Sequence, residues 1–244
     1  MSMMLFALFF AAATPNATAP AEFIKAIRAQ DVAKVQSMLE ADPSLVNAKT
    51  EKMNAVTAAL FILINQESFL LPAKNHVLQT LLAHHPTLDV WQTAALGTPD
   101  QLAKILQPDQ IDAMNQFGWT PLHYAAFGGN VANTKWLLDH GADMRIRAKT
   151  KFKNSPFLVA MLTMDRDTVK LFLDRGADVL ERQGEGDTAL HEAASAGDLA
   201  LVQLLVERGS DVNARDDGGM SSLEYALQEK HEEVAAYLRS KGAK

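Results

Sequence analysis

A six-residue pattern returns along this chain at a nearly fixed interval. Thr120-Pro121-Leu122-His123-Tyr124-Ala125 is followed by Ser155-Pro156-Phe157-Leu158-Val159-Ala160, Thr188-Ala189-Leu190-His191-Glu192-Ala193 and Ser221-Ser222-Leu223-Glu224-Tyr225-Ala226, at steps of 35, 33 and 33 residues. Gly141-Ala142-Asp143, Gly176-Ala177-Asp178 and Gly209-Ser210-Asp211 keep the same step. A constant period near 33 residues marks a row of supersecondary units, each too small to bury its apolar face alone. Few other architectures tolerate such a period.

The chemistry inside one period predicts two helices. Thr or Ser caps a helix N-terminus, and Pro suits the first helical position, where no N–H is needed. Leu122, Ala125 and Ala126 give that first helix a thin apolar face, so a second helix can approach closely. Leu199, Val202, Leu204 and Leu205 then recur at helical spacing in the second. Gly209 ends it in the left-handed conformation that helix C-termini favour. An extended stretch such as Asp211-Val212-Asn213-Ala214 is expected to lead into the next unit.

These residues resemble the ankyrin-repeat family. Thr120 to Ala125 matches its T-P-L-H-x-A signature at every specified position, and Thr188 to Ala193 departs only at Ala189. The resemblance is strong over residues 115–240 and fainter upstream. It implies an all-α solenoid of about seven helix-turn-helix repeats with short β-hairpin fingers between Ala21 and Lys244. On that reading residues 21–114 hold atypical repeats, 115–219 well-formed ones and 220–244 a C-terminal cap with the polar residues Glu224, Glu229, Lys230, Glu232 and Glu233. It also implies that His123 and His191 hydrogen-bond the preceding Thr and neighbouring backbone.

The upstream units keep the rhythm without the signature. Phe23, Ala26, Ile27, Val32, Val35, Met38 and Leu39 give the first unit its two-helix pattern. The second carries an insertion around Glu67 to Asn75, and its run Ala58 to Ile64 is apolar throughout, as expected of a helix covered on more than one side. The third places Trp91 and Gln92 where the signature has Leu and His. Ahead of them all, Met3 to Ala13 is an uninterrupted apolar run, too short for a bilayer span of about 20 residues. Residues 1–19 read as a signal peptide and linker, with A-x-A cleavage patterns at Ala11-Ala12-Ala13 and Ala19-Pro20-Ala21, although no Lys or Arg precedes Lys25. The competing reading is an apolar helix packed on the first repeat. The expected location is periplasmic or otherwise exported, with the cytoplasm as the alternative, and no stable membrane insertion is expected after cleavage.

Composition narrows the function. The chain has 244 residues and a formal net charge of −6, which disfavours nucleic acid and anionic membranes as partners. It has no cysteine, so disulfides, zinc–thiolate centres, iron–sulfur clusters and cysteine nucleophiles are excluded. His191-Glu192 and His231-Glu232 begin like a zinc-protease motif, but Ser195 and Ala235 stand where the second His belongs. Gly184-Glu185-Gly186 lacks the Lys-Ser/Thr of a phosphate loop and reads as the tip of a hairpin. Asp143, Asp178 and Asp211 recur after a helix-ending Gly and form no carboxylate dyad. Neither an enzyme nor a cofactor is expected.

A protein-binding scaffold remains, and the family resemblance implies that finger tips and first helices carry the partner on a concave surface. The connection after the fourth unit is the long one. Along it Arg145, Arg147, Lys149, Lys151 and Lys153 alternate with uncharged residues, leaving the rest of the chain at about −11. In an extended strand alternate side chains lie about 6.6 Å apart on one face, so five cations would line one edge and favour an acidic partner. Gln116, Phe117 and Trp119 stand at finger positions that the family leaves variable and exposed, and Phe117 and Trp119 with Tyr124, Phe127 and Phe152 would supply aromatic anchors beside that basic rim. The alternative is a solvated charge run with Trp119 covering the next finger. The expected partner is another protein with an acidic surface, bound by a monomer. An immunity-type inhibitor and an accessory subunit of an envelope enzyme are the narrower possibilities.

Overall fold

The computed structural model describes residues 18–51, 53–61 and 75–244. The apolar run Met3 to Ala13 and all of the Glu67 to Asn75 insertion except Asn75 lie outside the described residues. The described helices are fourteen, in seven consecutive pairs. They fall into two compact units.

The first unit holds α1 (Ala19–Arg28), α2 (Val32–Ala41), a 3-10 turn at Pro43–Asn47, α3 (Ala55–Phe61) and α4 (His76–Ala83). Phe23, Ile24, Ala26 and Ile27 of α1 are buried with Val35 and Leu39 of α2, whereas Val32 and Met38, which the helical spacing also marked, are exposed and half-buried. Every residue of α3 from Ala55 to Leu60 is buried, including Ala58 to Leu60 of the apolar run, whose Phe61 is half-buried and whose last three residues lie outside the described residues. His85 takes the left-handed conformation, with φ of 52°, at the place that glycine holds in later pairs.

The second unit carries α5 (Val90–Leu96), α6 (Pro99–Ile105), α7 (Pro121–Phe127), α8 (Val131–Asp139), α9 (Pro156–Thr163), α10 (Arg166–Asp174), α11 (Ala189–Ser195), α12 (Leu199–Glu207), α13 (Ser222–Gln228) and α14 (Glu232–Ser240). The odd-numbered helices pack one on the next from α5 to α13 and form an inner layer. The even-numbered helices lie behind them, each against the inner helix of its own pair or that of the pair before.

Local chemistry sets each pair. Thr120, Ser155 and Ser221 cap their inner helices by accepting the N–H of His123, Leu158 and Glu224. Asn130, Asp165 and Asp198 cap the outer helices in the same way. Gly141, Gly176 and Gly209 end those outer helices with φ of 92°, 87° and 97°, a region where a Cβ would strain the backbone. The aspartate two residues after each glycine then accepts the N–H two positions ahead, from Arg145, Leu180 and Asn213. These are Asx turns. Asp211 to Ala214 is therefore a turn, closed by Ala214 N–H to the Asp211 carbonyl, and not the extended stretch expected. On α12 the buried face is Leu201, Val202 and Leu205, while Leu199 and Leu204 are half-buried.

Candidate protein-binding face

From α6 onward the chain projects a finger between successive pairs. Among the described residues these fingers contain no regular strand, only single antiparallel bridges such as Arg182 with Thr188 and Arg215 with Ser221. Main-chain hydrogen bonds tie each finger to the next. Lys149 donates to the Gly118 carbonyl, Gly184 to that of Phe152 and Asp217 to that of Glu185, at 3.0, 2.9 and 3.2 Å. The approach is close enough to demand glycine, because a Cβ on Gly118 would sit 2.6 Å from the Lys149 Cβ. At Gly186 it would sit 2.7 Å from the Asp217 nitrogen. Gly184-Glu185-Gly186 is accordingly a finger tip.

Three side-chain devices hold the fingers over the inner helices. The first uses histidine. Backbone N–H of Thr120 donates to His123 Nδ1, so Nε2 carries the hydrogen and donates 3.1 Å to the Asn154 carbonyl in the following finger. His191 repeats the arrangement between Thr188 and Ala214. Burial lowers the His123 pKa to about 4, so the ring is neutral near pH 7 with both nitrogens engaged. Neither ring has a lone pair left for a metal or a proton transfer.

The second device links a finger residue to an inner-helix residue nine positions on. Asn115 Nδ2 donates to Tyr124 Oη at 2.9 Å, Gln183 Nε2 to Glu192 Oε1 at 2.7 Å, and Tyr225 Oη to Asp216 Oδ2 at 2.6 Å. Burial raises the pKa of Tyr124 and, together with the Asp187 charge, that of Glu192. The third device is a run of arginines. Arg147 donates to the Arg182 carbonyl, Arg182 to the Arg215 carbonyl, and Arg215 to the Gly219 carbonyl and the Glu224 carboxylate. Arg147 also pairs with Glu181 at 2.9 Å, and Glu181 accepts the Ser155 hydroxyl. Arg147 and Arg182 staple finger to finger, and Arg215 fastens its own finger to α13.

The unit of helix pair, left-handed glycine, Asx turn and histidine-strapped finger is thereby complete, and the family model described as "Ankyrin repeats (3 copies)" matches residues 23–148, 90–183 and 157–244. The chain belongs to the ankyrin-repeat family. It is 32% identical over 127 residues to a transient receptor potential cation channel subfamily A member 1 homolog of Caenorhabditis elegans, covering 52% of this chain and 10% of that one. It is 30% identical over 141 residues to a probable 26S proteasome regulatory subunit p28 of Saccharomyces cerevisiae, covering 57% and 62%. A putative ankyrin repeat protein of Fowlpox virus is 30% identical over 111 residues, covering 46% and 76%. The aligned stretch thus ranges from a tenth to about three quarters of these relatives' own length. Ankyrin repeats mediate protein–protein interactions, and the family is typically non-catalytic.

Within the ankyrin fingers the expected aromatic anchors lie elsewhere than on the surface. Trp119 is 6% exposed, Tyr124 1% and Phe127 1%. The Trp119 ring meets those of Tyr124 and Phe127 edge-on, with centroids 5.6 and 5.5 Å away, and lies 5.9 Å from His123. The reason is Asn115, whose Oδ1 accepts the N–H groups of both Phe117 and Trp119 and curls the finger so that Trp119 turns inward. Gln116 is exposed and Phe117 half-buried.

The basic run is also not one edge. Turns at Met144-Arg145 and Lys151-Phe152, and a left-handed Lys153 with φ of 51°, break the alternation that an extended strand requires. Arg145 folds back on Asp143, Arg147 joins the staple, and Lys151 pairs with Glu185, each about 3.0 Å away. Lys149 and Lys153 are exposed and enter no ion pair among the described residues. Phe152 between them is 42% exposed, with Lys151 Nζ 5.2 Å from its ring. The described residues contain no group of three His, Asp or Glu placed to hold a metal ion, and no helix long and apolar enough to cross a membrane.

Proposed function

We propose that the protein is a non-catalytic scaffold that binds the acidic surface of another protein through the finger spanning Arg147 to Lys153. The observation that carries this reading is the tip itself, where exposed Phe152 has Lys151 Nζ 5.2 Å from its ring and lies in the chain between exposed Lys149 and Lys153. An apolar ring within a cationic rim has the composition of a small interface hot spot. Neutralising the three lysines to glutamine should slow association with the partner at low salt about tenfold and flatten its salt dependence, with a smaller change in dissociation. Stopped-flow or surface-binding kinetics against the co-purified partner measures this, and an unchanged association rate sinks the reading.

The binding is proposed to occur outside the cytoplasm, on the support of the Met3 to Ala13 run and the A-x-A patterns that follow it. The mature chain should then begin near Thr14 or Glu22. Intact mass of protein made with its natural N-terminus decides the point, and a mass that retains Met3 to Ala13 refutes export. The identity of a co-purified partner separates an immunity-type inhibitor from an accessory subunit of an envelope enzyme.

A further inference from the structure

Ahead of the inner-helix caps Thr120 and Ser221, a side chain clasps its own loop to the loop one repeat on. Asp112 Oδ1 accepts the Asp143 N–H at 3.0 Å, and Asn213 Oδ1 accepts the Lys244 N–H at the same distance, each 31 positions away. Asn213 also donates its amide to the Gly242 carbonyl at 3.3 Å. The two junctions between these lack the clasp. Arg145 and Leu180 hold the place of Asp112 and Asn213 there. Arg145 folds back on Asp143, and Leu180 has no polar side-chain group to offer. The N–H groups of Asp178 and Asp211, the counterparts of the clasped ones, have no acceptor among the described residues.

A cavity lies at each unclasped junction. The one beside Arg145 is a wide cleft of about 560 Å³; the one lined by Leu180, Ser210 and Asp211 is about 170 Å³, the scale of a single side chain. Leu180 is 52% exposed, more than any other large apolar side chain among the described residues. Ser210 stands where Ala142 and Ala177 stand in the two units before it. Its hydroxyl is buried without a hydrogen-bond partner. Burying a hydroxyl unpaired is costly, and the packing does not call for one, since alanine serves the same place in the neighbouring units.

We propose that the cavity between Leu180 and Asp211 is a binding site for an asparagine side chain of a protein partner, which completes the clasp that Leu180 cannot make. Asn213 shows the chemistry of the occupant. The amide oxygen takes the Asp211 N–H, with the Ser210 hydroxyl as a second donor. The amide nitrogen gives a hydrogen to the carbonyl of Gly209, one repeat before Gly242, which has no partner among the described residues. A carboxylate, as at Asp112, would accept the same N–H, but it has no hydrogen for Gly209 and meets the exposed Asp211 carboxylate. Leu180 offers the partner's neighbouring residues an apolar surface. No lysine of the basic finger lines this cavity, so the site stands or falls separately from the binding of an acidic surface there.

Titration of the isotope-labelled full chain with N-acetylasparagine methylamide, followed by amide NMR, tests this. The Asp211 signal should move along a saturating curve with a millimolar midpoint, while the Asp143 signal, whose N–H Asp112 already holds, stays in place. N-acetylalanine methylamide and N-acetylaspartate methylamide should each bind at least about fivefold more weakly, the factor set by one net hydrogen bond. Leu180→Asn should supply the amide from the chain itself, cut the response to the asparagine probe at least about fivefold and raise the urea midpoint. Ser210→Ala removes only the hydroxyl and should weaken the probe about threefold with the urea midpoint no lower. No saturable movement at Asp211, equal or tighter binding of the alanine or aspartate probe, or a full response in both variants overturns the site.

Discussion

Trp119→Ala is expected to destabilise the protein by about 3–5 kcal/mol, the range for deleting a large buried aromatic side chain. The ring is 6% exposed and packs edge-on against Tyr124 and Phe127, an arrangement worth more than area burial alone. Its backbone N–H is also part of the Asn115 turn, so the vacated space lies under a finger whose path is fixed by hydrogen bonds and cannot simply collapse. The defect should spread, because α7 packs on both α5 and α9. Urea unfolding followed by helical circular dichroism measures the effect, with exposed Glu232→Ala as the reference at about 0.5 kcal/mol or less. Equal midpoint shifts for the two variants contradict the aromatic core.

Acid should weaken the fold through His123. Its ring has a pKa near 4 in the folded chain against the ordinary 6.5, so between those values the unfolded chain binds a proton that the folded chain refuses. Stability contributed by the neutral ring is therefore complete above about pH 6.5 and is lost as pH falls toward 4. From pH 7 to pH 4.5 the loss should be about 2 kcal/mol. Glu181 and Glu192 act in the opposite sense, since burial raises their pKa values and the folded chain takes up their protons more readily. The wild type must thus be compared with a variant that differs at the ring alone. His123→Gln serves, because Gln92 fills the same place in α5, its side chain accepting the Asp89 N–H while Asp89 accepts the Gln92 N–H. The acid-induced loss in wild type should exceed that in the variant by about the amount stated. Parallel stability–pH curves for the two proteins would show that the ring titrates normally.

What could be read in the residues was what acts over three or four positions or repeats at the period. The caps at Thr120, Ser155 and Ser221, the left-handed Gly141, Gly176 and Gly209, and the Gln92 replacement for histidine all belong to this kind. Each is a backbone group satisfied by a near neighbour, so residue type and spacing suffice. The Arg147, Arg182 and Arg215 staple carries a signal as well, since its members recur at steps of 35 and 33 residues, but within one finger Arg147 is indistinguishable by spacing from the alternating cations Arg145, Lys149, Lys151 and Lys153. The Asn115–Tyr124, Gln183–Glu192 and Asp216–Tyr225 straps share a nine-residue step, but Tyr recurs in only two of them and the donor changes sides, so the folded finger reveals them as one device. Side-chain burial was decided at the tertiary level too. Trp119 and Lys149 stand on neighbouring fingers, yet one is buried and the other exposed, because the Asn115 turn rotates the first inward and the bend at Lys149 turns the second out. The period in the sequence determined the ankyrin repeat; the direction of each finger, and with it which charges face a partner, came from contacts between residues a whole repeat apart.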